Sequence, residues 1–257
     1  MESEKAGKGL IKKINSLKIK KYQQRYESFF IEGEKICEEL LLSDFIIETI
    51  VISERFKTKN NVLLDAINGG KYRVFSTTTD EFENLSETQS PQGIAVVSKM
   101  KIHKPILEKP IIVLDEIADP GNLGTIIRTA DWFGFQQVVL SKGCASVYNG
   151  KVIRSSMGSV FHLNIIEVED LQLFLVEYFP TTVIYAATIE GDIDLKKISK
   201  QGTNFGIVFG NESRGVSDKL DSIVDYKFKI TGRGRAESLN VAVAAGITLQ
   251  HFEKFLD

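Results

Sequence analysis

The chain has 257 residues, of which 43% are hydrophobic and 26% charged, and its formal net charge is −2. This composition is ordinary for a globular protein of one or two domains and excludes a chain that attracts nucleic acid through a high overall positive charge. The two cysteines, Cys37 and Cys144, have no C-x-x-C spacing, so we expect neither a zinc site nor a disulfide framework, and a reducing compartment is favoured.

The first nine residues, MESEKAGKG, carry charges without an apolar core behind them, which argues against a signal peptide. The longest apolar runs are shorter than the ~18 residues that a helix needs to cross a membrane. The sequence therefore predicts a cytoplasmic protein.

Residues 1–98 predict a small α/β domain, which opens with a helix over residues 8–26. The segments FFIEGEKICEELLL, IETIVIS, VLLDAINGG, YRVFS and QGIAVV then predict a strand with a helix, a strand, a helix and two strands. Between Lys5 and Arg25 there are eight lysines and arginines and no acidic residue. Such a run forms either a solvated helix face or a patch that contacts phosphates, and both interpretations stay open.

Residues 99–110, KMKIHKPILEKP, contain two prolines and four lysines without a clear period and are the predicted linker. From residue 111 to 257, helical segments alternate with the apolar segments IIVLD, QVVLS, LNIIEV, TVIYAAT, FGIVFG and YKFKI. Their continuous apolar character is typical of strands that are buried on both faces. We therefore predict an α/β domain with a mostly parallel sheet and helices on both faces.

Three loops follow predicted strands of this second domain, where open α/β sheets bind their ligands. After IIVLD, residues 119–121 (DPG) form a turn, and Asn122 is the predicted N-cap of a helix that begins at Leu123. Arg128 lies among apolar residues of that helix, so its side chain must reach solvent, form an ion pair or bind an anion. The first two outcomes are the more common.

The second loop is FGNESRGVS, residues 209–217. Gly210 and Gly215 permit positive φ and a close approach to a ligand, with Glu212 between them. Taken alone, such a loop indicates only a tight turn.

The third loop begins GRGRAE and continues into the apolar segment SLNVAVAAG, which ends at residue 246. Ser238 is the predicted N-cap of the helix, and Asn240 falls in the predicted first turn. A loop so rich in glycine and arginine is unusual between two buried elements.

The usual nucleotide signatures are absent from the sequence. There is neither a G-x-G-x-x-G after the first strand nor a G-x-x-x-x-G-K-[ST], which removes the main support for a dehydrogenase or a P-loop enzyme. The three histidines form no evident catalytic or metal-binding pattern. Chemistry at these loops would therefore depend on arginine, glutamate, asparagine and serine.

In this order the three loops resemble the motifs of the SpoU (TrmH-like) class of SPOUT methyltransferases, which methylate RNA ribose 2′-hydroxyls with S-adenosylmethionine. The class has an asparagine followed six residues later by Arg-Thr-Ala, which corresponds to Asn122 and residues 128–130. Its Phe-Gly-x-Glu-x-x-Gly-hydrophobic and Ser-Leu-Asn-Val motifs correspond to residues 209–216 and 238–241. YNGKVIRSSMGSVF resembles its Lys-x-x-Arg-x-Ser-x-Gly region, and FIEGEKICEELL resembles the RNA-binding domain often fused ahead of it.

The resemblance implies a knotted (trefoil) domain over residues 111–257, a smaller ribosomal-protein-like α/β domain before it, and a homodimer. It also implies that the second and third loops bind S-adenosylmethionine, and no metal is expected. The cofactor-binding residues would be Phe209, Gly210, Asn211, Gly215, Ile230, Gly234, Ser238 and Leu239.

The resemblance further implies roles for catalytic and RNA-binding side chains. Arg128 would lie nearest the ribose hydroxyl, and because a guanidinium stays protonated we expect it to hold a phosphate and lower the hydroxyl pKa, not to act as a base. The residues that would position Arg128 and the substrate are Asn122, Glu212, Ser238 and Asn240. Contacts to the RNA backbone are expected from Lys12, Lys13, Lys20, Lys21, Arg25 and Arg154.

One stretch departs from the class, which usually has Ile-Pro-Met-x-Gly at the start of the third loop. Here Ile230 is followed by Thr231, Gly232, Arg233 and Gly234, without the proline and the methionine. A non-catalytic RNA-binding or ribosome-assembly protein of the same fold therefore stays an alternative to an enzyme. Ribosomal RNA is the expected substrate, and tRNA is the alternative.

Overall fold

The structure is a computed structural model that describes residues 3–58, 62–70, 72–199, 201 and 204–256. The chain forms two compact units: Met1–Lys101 with Tyr148–Phe161, called the first unit, and Ile102–Val147 with His162–Asp257, called the second unit. The sequence-based boundaries at residues 98 and 111 stay a prediction. The compact units differ from them by placing the segment Tyr148–Phe161 with the first unit.

The described residues form twelve strands and eleven α-helices, and each strand predicted from the sequence is present within about two residues of its expected ends. Short 3₁₀ helices cover Ser159–Phe161, Leu195–Lys197 and Glu253–Phe255. In chain order the elements are β1 (Glu4–Lys5), α1 (Lys8–Ser16), α2 (Lys20–Tyr26), β2 (Ser28–Glu32), α3 (Glu34–Leu41), β3 (Ile47–Ser53), α4 (Glu54–Lys57), α5 (Val62–Gly69), β4 (Val74–Thr77), α6 (Thr79–Leu85), β5 (Ile94–Lys99), β6 (Ile111–Leu114), α7 (Pro120–Trp132), β7 (Gln137–Ser141), α8 (Gly150–Ser156), β8 (Asn164–Val168), α9 (Leu171–Tyr178), β9 (Val183–Ala187), β10 (Ile193–Asp194), β11 (Phe205–Phe209), α10 (Asp218–Asp221), β12 (Tyr226–Lys229) and α11 (Val241–Phe252).

The first unit contains a five-stranded mixed sheet in the order β1-β4-β3-β5-β2. Strand β5 runs antiparallel to both β2 and β3, whereas β1, β3 and β4 are parallel. Helices α1 and α6 pack on this sheet through a core that includes Ile14, Phe30 and Phe82. The segment Tyr148–Phe161 packs on this unit through stacked aromatic rings. The ring centroids of Tyr148 and Phe29 are 4.5 Å apart.

The single helix predicted over residues 8–26 is wrong, because the structure has two helices separated by residues 17–19. Leu17 is fully buried in the core, and Ile19 has an extended backbone with φ −111°. The side-chain amide of Gln23 donates to the carbonyl of Leu17 at 2.8 Å, which satisfies an oxygen that a continuous helix would have bonded internally. A prediction from local helix propensity cannot include this tertiary contact and therefore misses the break.

The second unit contains a seven-stranded sheet in the order β10-β12-β9-β11-β6-β7-β8, in which every pair is parallel. Leu171 and Leu175 of α9 pack on one face, against Ile111 and Val139. Ile112 points to the opposite face by the alternation of the strand and is also fully buried. The predicted α/β fold with a parallel sheet covered by helices is confirmed.

Most of the predicted linker, from Ile102 onward, is part of the second unit. Gln137 is fully buried, and its amide accepts from the Ile106 backbone at 3.0 Å and donates to the carbonyls of Ile106 at 2.6 Å and Lys109 at 2.9 Å. Asn164 donates to the carbonyl of Lys104 at 2.7 Å. These bonds fix the path of a segment whose composition suggested flexibility.

No helix in the described part of the chain combines the length and the apolar character that crossing a bilayer requires.

Candidate active site

The three candidate loops meet at one edge of the second sheet. They follow β6, β11 and β12, and since all strands of this sheet are parallel, their carboxyl ends lie on the same side. The fold thus brings together segments that are far apart in the sequence.

The first loop delivers Asn122 from the first turn of α7. The expectation that Asn122 caps this helix is wrong, since Asp119 is the N-cap and its Oδ1 accepts from the Asn122 backbone at 2.8 Å. Pro120 occupies the first helical position, where its missing N–H costs nothing. The side chain of Asn122 is therefore available for tertiary contacts.

The third loop ends at Asn240, which is the N-cap of α11. Its Oδ1 accepts from the backbone of Ala242 at 2.9 Å and of Val243 at 3.3 Å. The prediction of Ser238 as the N-cap is wrong by two residues, and Ser238 is exposed to solvent. Serine and asparagine cap helices almost equally well, so only the path of the chain decides between them.

A chain of hydrogen bonds connects all three loops. The Nδ2 atom of Asn240 donates to Oδ1 of Asn122 at 3.0 Å, and Nδ2 of Asn122 donates to Oε1 of Glu212 at 2.8 Å. The amide of Asn122 thus has one partner on each neighbouring loop. The Glu212 carboxylate accepts the last hydrogen bond of a series that begins at the N-terminus of α11.

The second loop is a tight turn closed by its own backbone. The N–H and carbonyl groups of Asn211 and Gly215 pair in both directions at 2.9 Å, and Gly215 has φ +72°. A Cβ on Gly210 would lie 2.3 Å from the carbonyl carbon of Gly215, so only glycine fits there. Phe209, at the end of β11, is buried and anchors the turn in the core.

Two acidic residues that support this turn were not identified from the sequence. Asp115 is almost fully buried, and its Oδ2 accepts from the Ser217 backbone at 2.9 Å. Glu116 has a positive φ of +58°, its carbonyl accepts from Asn211 at 3.0 Å, and its carboxylate pairs with Arg214. Both residues directly follow β6, at the edge of the sheet where ligands bind, and this position in the sequence could have identified them as site residues.

The start of the third loop, where the class usually has proline, is held by a side-chain bond. The hydroxyl of Thr231 donates to the carboxylate of Asp194, at the end of β10. This hydrogen bond is the main reason that the pKa of Asp194 lies below its ordinary value. No sequence pattern had connected Asp194 with this loop.

The rest of the third loop suits a ligand that bonds to backbone groups. Residues 231–240 are all exposed, and within the described chain residues 231–239 make no backbone–backbone hydrogen bond. Gly232 and Gly234 border open space, while Ile230 is half-buried and Leu239 is 47% exposed. Unused amides and carbonyls beside apolar side chains fit an adenosine group such as that of S-adenosylmethionine.

A further unused polar group lies at the same edge of the sheet. The hydroxyl oxygen of Thr188, directly after β9, is buried and has no hydrogen-bond partner in the described part of the chain. Buried polar atoms without a partner are rare in proteins and call for an explanation. Across the described ranges, no group of three or more His, Cys, Asp and Glu side chains could hold a metal ion.

Arg128 stands apart from the hydrogen-bonded residues. It is exposed on α7, and among the described residues it has no hydrogen-bond or ion-pair partner. Trp132, one turn later, is 83% exposed. The structure thus brings together Asn122, Glu212 and Asn240 and leaves the side chain of Arg128 in solvent.

The residues predicted to contact RNA all belong to the first unit. Lys12, Lys20, Lys21 and Arg25 are exposed on α1 and α2. Two others are paired within this unit: Lys13 with Glu48, and Arg154 with Glu87, each with a nitrogen–oxygen distance of 3.4 Å.

Comparisons of the sequence with protein families match both parts of the chain. The model of the SpoU rRNA Methylase family matches residues 109–250, and that of the MRM3-like substrate binding domain matches residues 8–96. A 23S rRNA (guanosine(2553)-2′-O)-methyltransferase, RlmP of Bacillus subtilis, is 34% identical over 249 residues, which cover 96% of this chain and 97% of that protein.

Solved structures are similar over nearly the whole chain. An AdoMet-bound rRNA methyltransferase from Sinorhizobium meliloti superposes with a TM-score of 0.84 and 25% identity, covering 98% of this chain and 96% of the other (AdoMet is S-adenosylmethionine). The SpoU methyltransferase AviRb from Streptomyces viridochromogenes, in complex with AdoMet, has a TM-score of 0.86 and 23% identity, with coverage of 95% and 96%. At 23% identity, the similarity to AviRb supports the fold alone.

Proposed function

The chain belongs to the SpoU rRNA methylase family, and on this premise we propose that it methylates a ribose 2′-hydroxyl of ribosomal RNA with S-adenosylmethionine as the methyl donor. The observation that carries the proposal is the chain of hydrogen bonds from Asn240 through Asn122 to Glu212, which unites the three motifs in one site. A relic that had lost its chemistry would have no need to keep these side chains aligned.

S-adenosylmethionine supplies an electrophilic methyl group when it is bound. The residues proposed to hold it are those of the second and third loops, where Gly210 and Gly215 shape a rigid turn and Gly234, Ser238 and Leu239 belong to the exposed loop. The second loop needs no reorganisation because its backbone is already closed. Phe209, Asn211 and Ile230 are proposed to contribute to the same cofactor site; Phe209 is buried, and the side-chain amide of Asn211 donates to the carbonyl of Glu116.

Arg128 is proposed to hold the phosphate next to the reacting ribose. Its guanidinium is exposed and keeps all its donors available for a planar, two-point contact with phosphate oxygens. A fixed positive charge beside the 2′-hydroxyl lowers the hydroxyl pKa, and the phosphate or a water then accepts the proton. Asn122, Glu212, Ser238 and Asn240 are proposed to position the substrate for transfer.

Ribosomal RNA is the proposed substrate because the relative with 34% identity is a 23S rRNA methyltransferase and matches almost the full length of the chain. The match to a substrate-binding domain over residues 8–96 supports RNA contacts by the first unit. The exposed cations of α1 and α2 are suited to the RNA backbone, which they would hold in register without reading its sequence.

We propose a homodimer whose interface is formed by the exposed surfaces of α7 and α11. These helices pack together, with Gly246 facing Thr129, and they leave Trp132 83%, Val243 51% and Ile247 41% exposed. Apolar side chains grouped on adjacent helices are typical of a subunit interface. The trefoil knot and the cytoplasmic location stay predictions.

The experiment that tests this function maps 2′-O-methylation over total RNA from cells with and without the gene. We expect the loss of one methylated ribose in 23S rRNA, and its return when the purified protein and S-adenosylmethionine are added to the unmodified RNA. An unchanged rRNA map with a lost tRNA site would redirect the proposal to tRNA. No binding of S-adenosylmethionine in calorimetry would favour the non-catalytic alternative.

A further inference from the structure

The first unit contains a cleft that is separate from the three loops. Its volume is about 270 Å³. We propose that this cleft binds a nucleotide of the substrate RNA, through its phosphate, at a position other than the methylated one; this inference rests on the proposed function. The polar residues and the glycine that shape it are Lys18, Gln23, Glu87, Gly150, Lys151 and Arg154.

The break between α1 and α2 builds one wall of the cleft. The amide of Gln23, which is 5% exposed, donates both to the carbonyl of Leu17 at 2.8 Å and to the carbonyl of Tyr148 at 3.1 Å. These two bonds hold the connection between the helices beside the segment that leads into α8. Lys18 is therefore fixed at the cleft by the same contact that interrupts the helix.

Gly150 keeps the opposite wall open. A Cβ at this position would lie 2.6 Å from Oε2 of Glu87 and 3.0 Å from Nη1 of Arg154, so a side chain would displace both groups. Glu87 in turn lies 3.4 Å from Arg154 and orients its guanidinium at the cleft, where about a third of the arginine side chain is accessible. The wall thus presents a positioned arginine.

The charge of the lining suits an anion. Lys18, Lys151 and Arg154 contribute three cations against the single carboxylate of Glu87, in a chain whose overall charge is −2. The excess of positive charge is therefore local and not a property of the whole molecule. A fork-shaped guanidinium beside two ammonium groups is well suited to phosphate oxygens.

The surroundings of the cleft favour an RNA strand over a small inorganic anion. Leu17 and Phe30 lie beneath the cleft and are almost fully buried, so the polar and charged side chains above them form most of its accessible lining. The exposed cations of α2, Lys20, Lys21 and Arg25, follow Lys18 directly in the chain and extend the basic surface beyond the cleft. Cations on both the cleft and the neighbouring helix suit the successive phosphates of an RNA strand.

The test compares two double variants of the full chain. Lys18→Ala with Lys151→Ala removes two cations from the cleft, which lies by the edge strand β2. Lys5→Ala with Lys57→Ala removes the same charge beside the opposite edge strand β1, where Lys57 bonds Ser3, and is the matched control. Filter binding of in vitro transcribed, unmodified 23S rRNA is measured at several salt concentrations, together with calorimetry of S-adenosylmethionine and the kinetics of methylation.

We expect the cleft variant to bind the RNA roughly tenfold more weakly than the control and to have a salt slope smaller by about 1.4, or ~0.7 per lost phosphate contact. Its KM for RNA should rise while kcat at saturating RNA and the affinity for S-adenosylmethionine stay unchanged. Equal RNA binding by both double variants would overturn the inference. A second result would also overturn it: the wild type binds free AMP tightly, and the cleft variant loses AMP binding but keeps its affinity for RNA. The cleft would then bind a free nucleotide and not RNA.

These outcomes separate the cleft from the proposed function. If the wild-type protein methylates no ribosomal RNA, the proposed function fails, and the binding comparison still decides whether the cleft contacts RNA. If the wild type is active and the cleft variant matches its control, only the inference on the cleft fails.

Discussion

The side chains of Asn122 and Glu212, 90 residues apart in the chain, are joined by a hydrogen bond of 2.8 Å from Nδ2 to Oε1. The same asparagine accepts from Asn240 at 3.0 Å, 118 residues further along the chain. This connection requires an amide, which donates at one end and accepts at the other. Neither a carboxylate nor an aliphatic side chain at position 122 could serve both partners.

Substituting Asn122→Asp should therefore do more than remove a contact. Aspartate cannot donate to Glu212, and two adjacent carboxylates raise each other's pKa. We expect methylation to fall about 10- to 100-fold at neutral pH and to recover in part on acidification, as one carboxyl becomes protonated and donates again. The pH dependence of kcat is the measurement.

The uncharged comparison for this variant is Asn122→Ala, which removes the amide without adding a charge. Its loss should be similar at neutral pH but without recovery at low pH. Identical pH profiles for the two variants would contradict the proposed pairing with Glu212.

Substituting Arg128→Ala should abolish methylation, by at least about 100-fold, because it removes the charge proposed to hold the phosphate beside the hydroxyl. The binding of S-adenosylmethionine, measured by calorimetry, should change by less than a few-fold. Arg55→Ala removes an exposed arginine of α4 and is the control. Normal turnover by the Arg128 variant would eliminate this residue from the mechanism.

Substituting Thr231→Val should loosen the third loop, because it removes the hydroxyl that donates to Asp194. We expect weaker binding of S-adenosylmethionine with little change in the unfolding temperature. Asp194→Asn retains an oxygen acceptor and should preserve the affinity, whereas Asp194→Ala should match the valine variant. Additive effects of Thr231→Val and Asp194→Ala in the double variant would show that the two side chains act independently.

The titration of Asp194 gives a second measurement of this bond. Its pKa is lowered in the folded protein, mainly by the hydrogen bond from Thr231. The contribution to stability is therefore present above the ordinary carboxyl pKa of about 4 and is lost as the pH falls through the lowered value. In an NMR titration of the Asp194 carboxyl, Thr231→Val should shift the pKa upward, and an unchanged pKa would speak against the bond.

Substituting Trp132→Glu should break the proposed homodimer, because it introduces a charge into the apolar surface of α7 and α11. Light scattering after size-exclusion chromatography should report a dimer for the wild type and a monomer for the variant. Leu42→Glu alters an apolar residue of the first unit that is 79% exposed and is the control. A monomeric wild type would refute the proposal directly.

Much of the fold was readable from the sequence because strands buried on both faces must be continuously apolar. This pattern correctly predicted the six main strands of the second unit and their parallel arrangement. The motif residues Asn122, Glu212 and Asn240 were also identified from the sequence, since their types and spacing resemble those of a known family. Helix starts were less accurate, and both predicted caps at the site, Asn122 and Ser238, were wrong.

The sequence by itself determined the main strands, the class of fold and the three motifs, because periodicity, turn residues and motif spacing are local properties of the chain. Only the tertiary structure decided which side chains meet. The bond between Thr231 and Asp194, the support of the second loop by Glu116, and the break at Leu17 that forms the cleft all depend on contacts between distant residues. Such contacts follow from how the sheets pack and pair their strands, which no short stretch of sequence encodes.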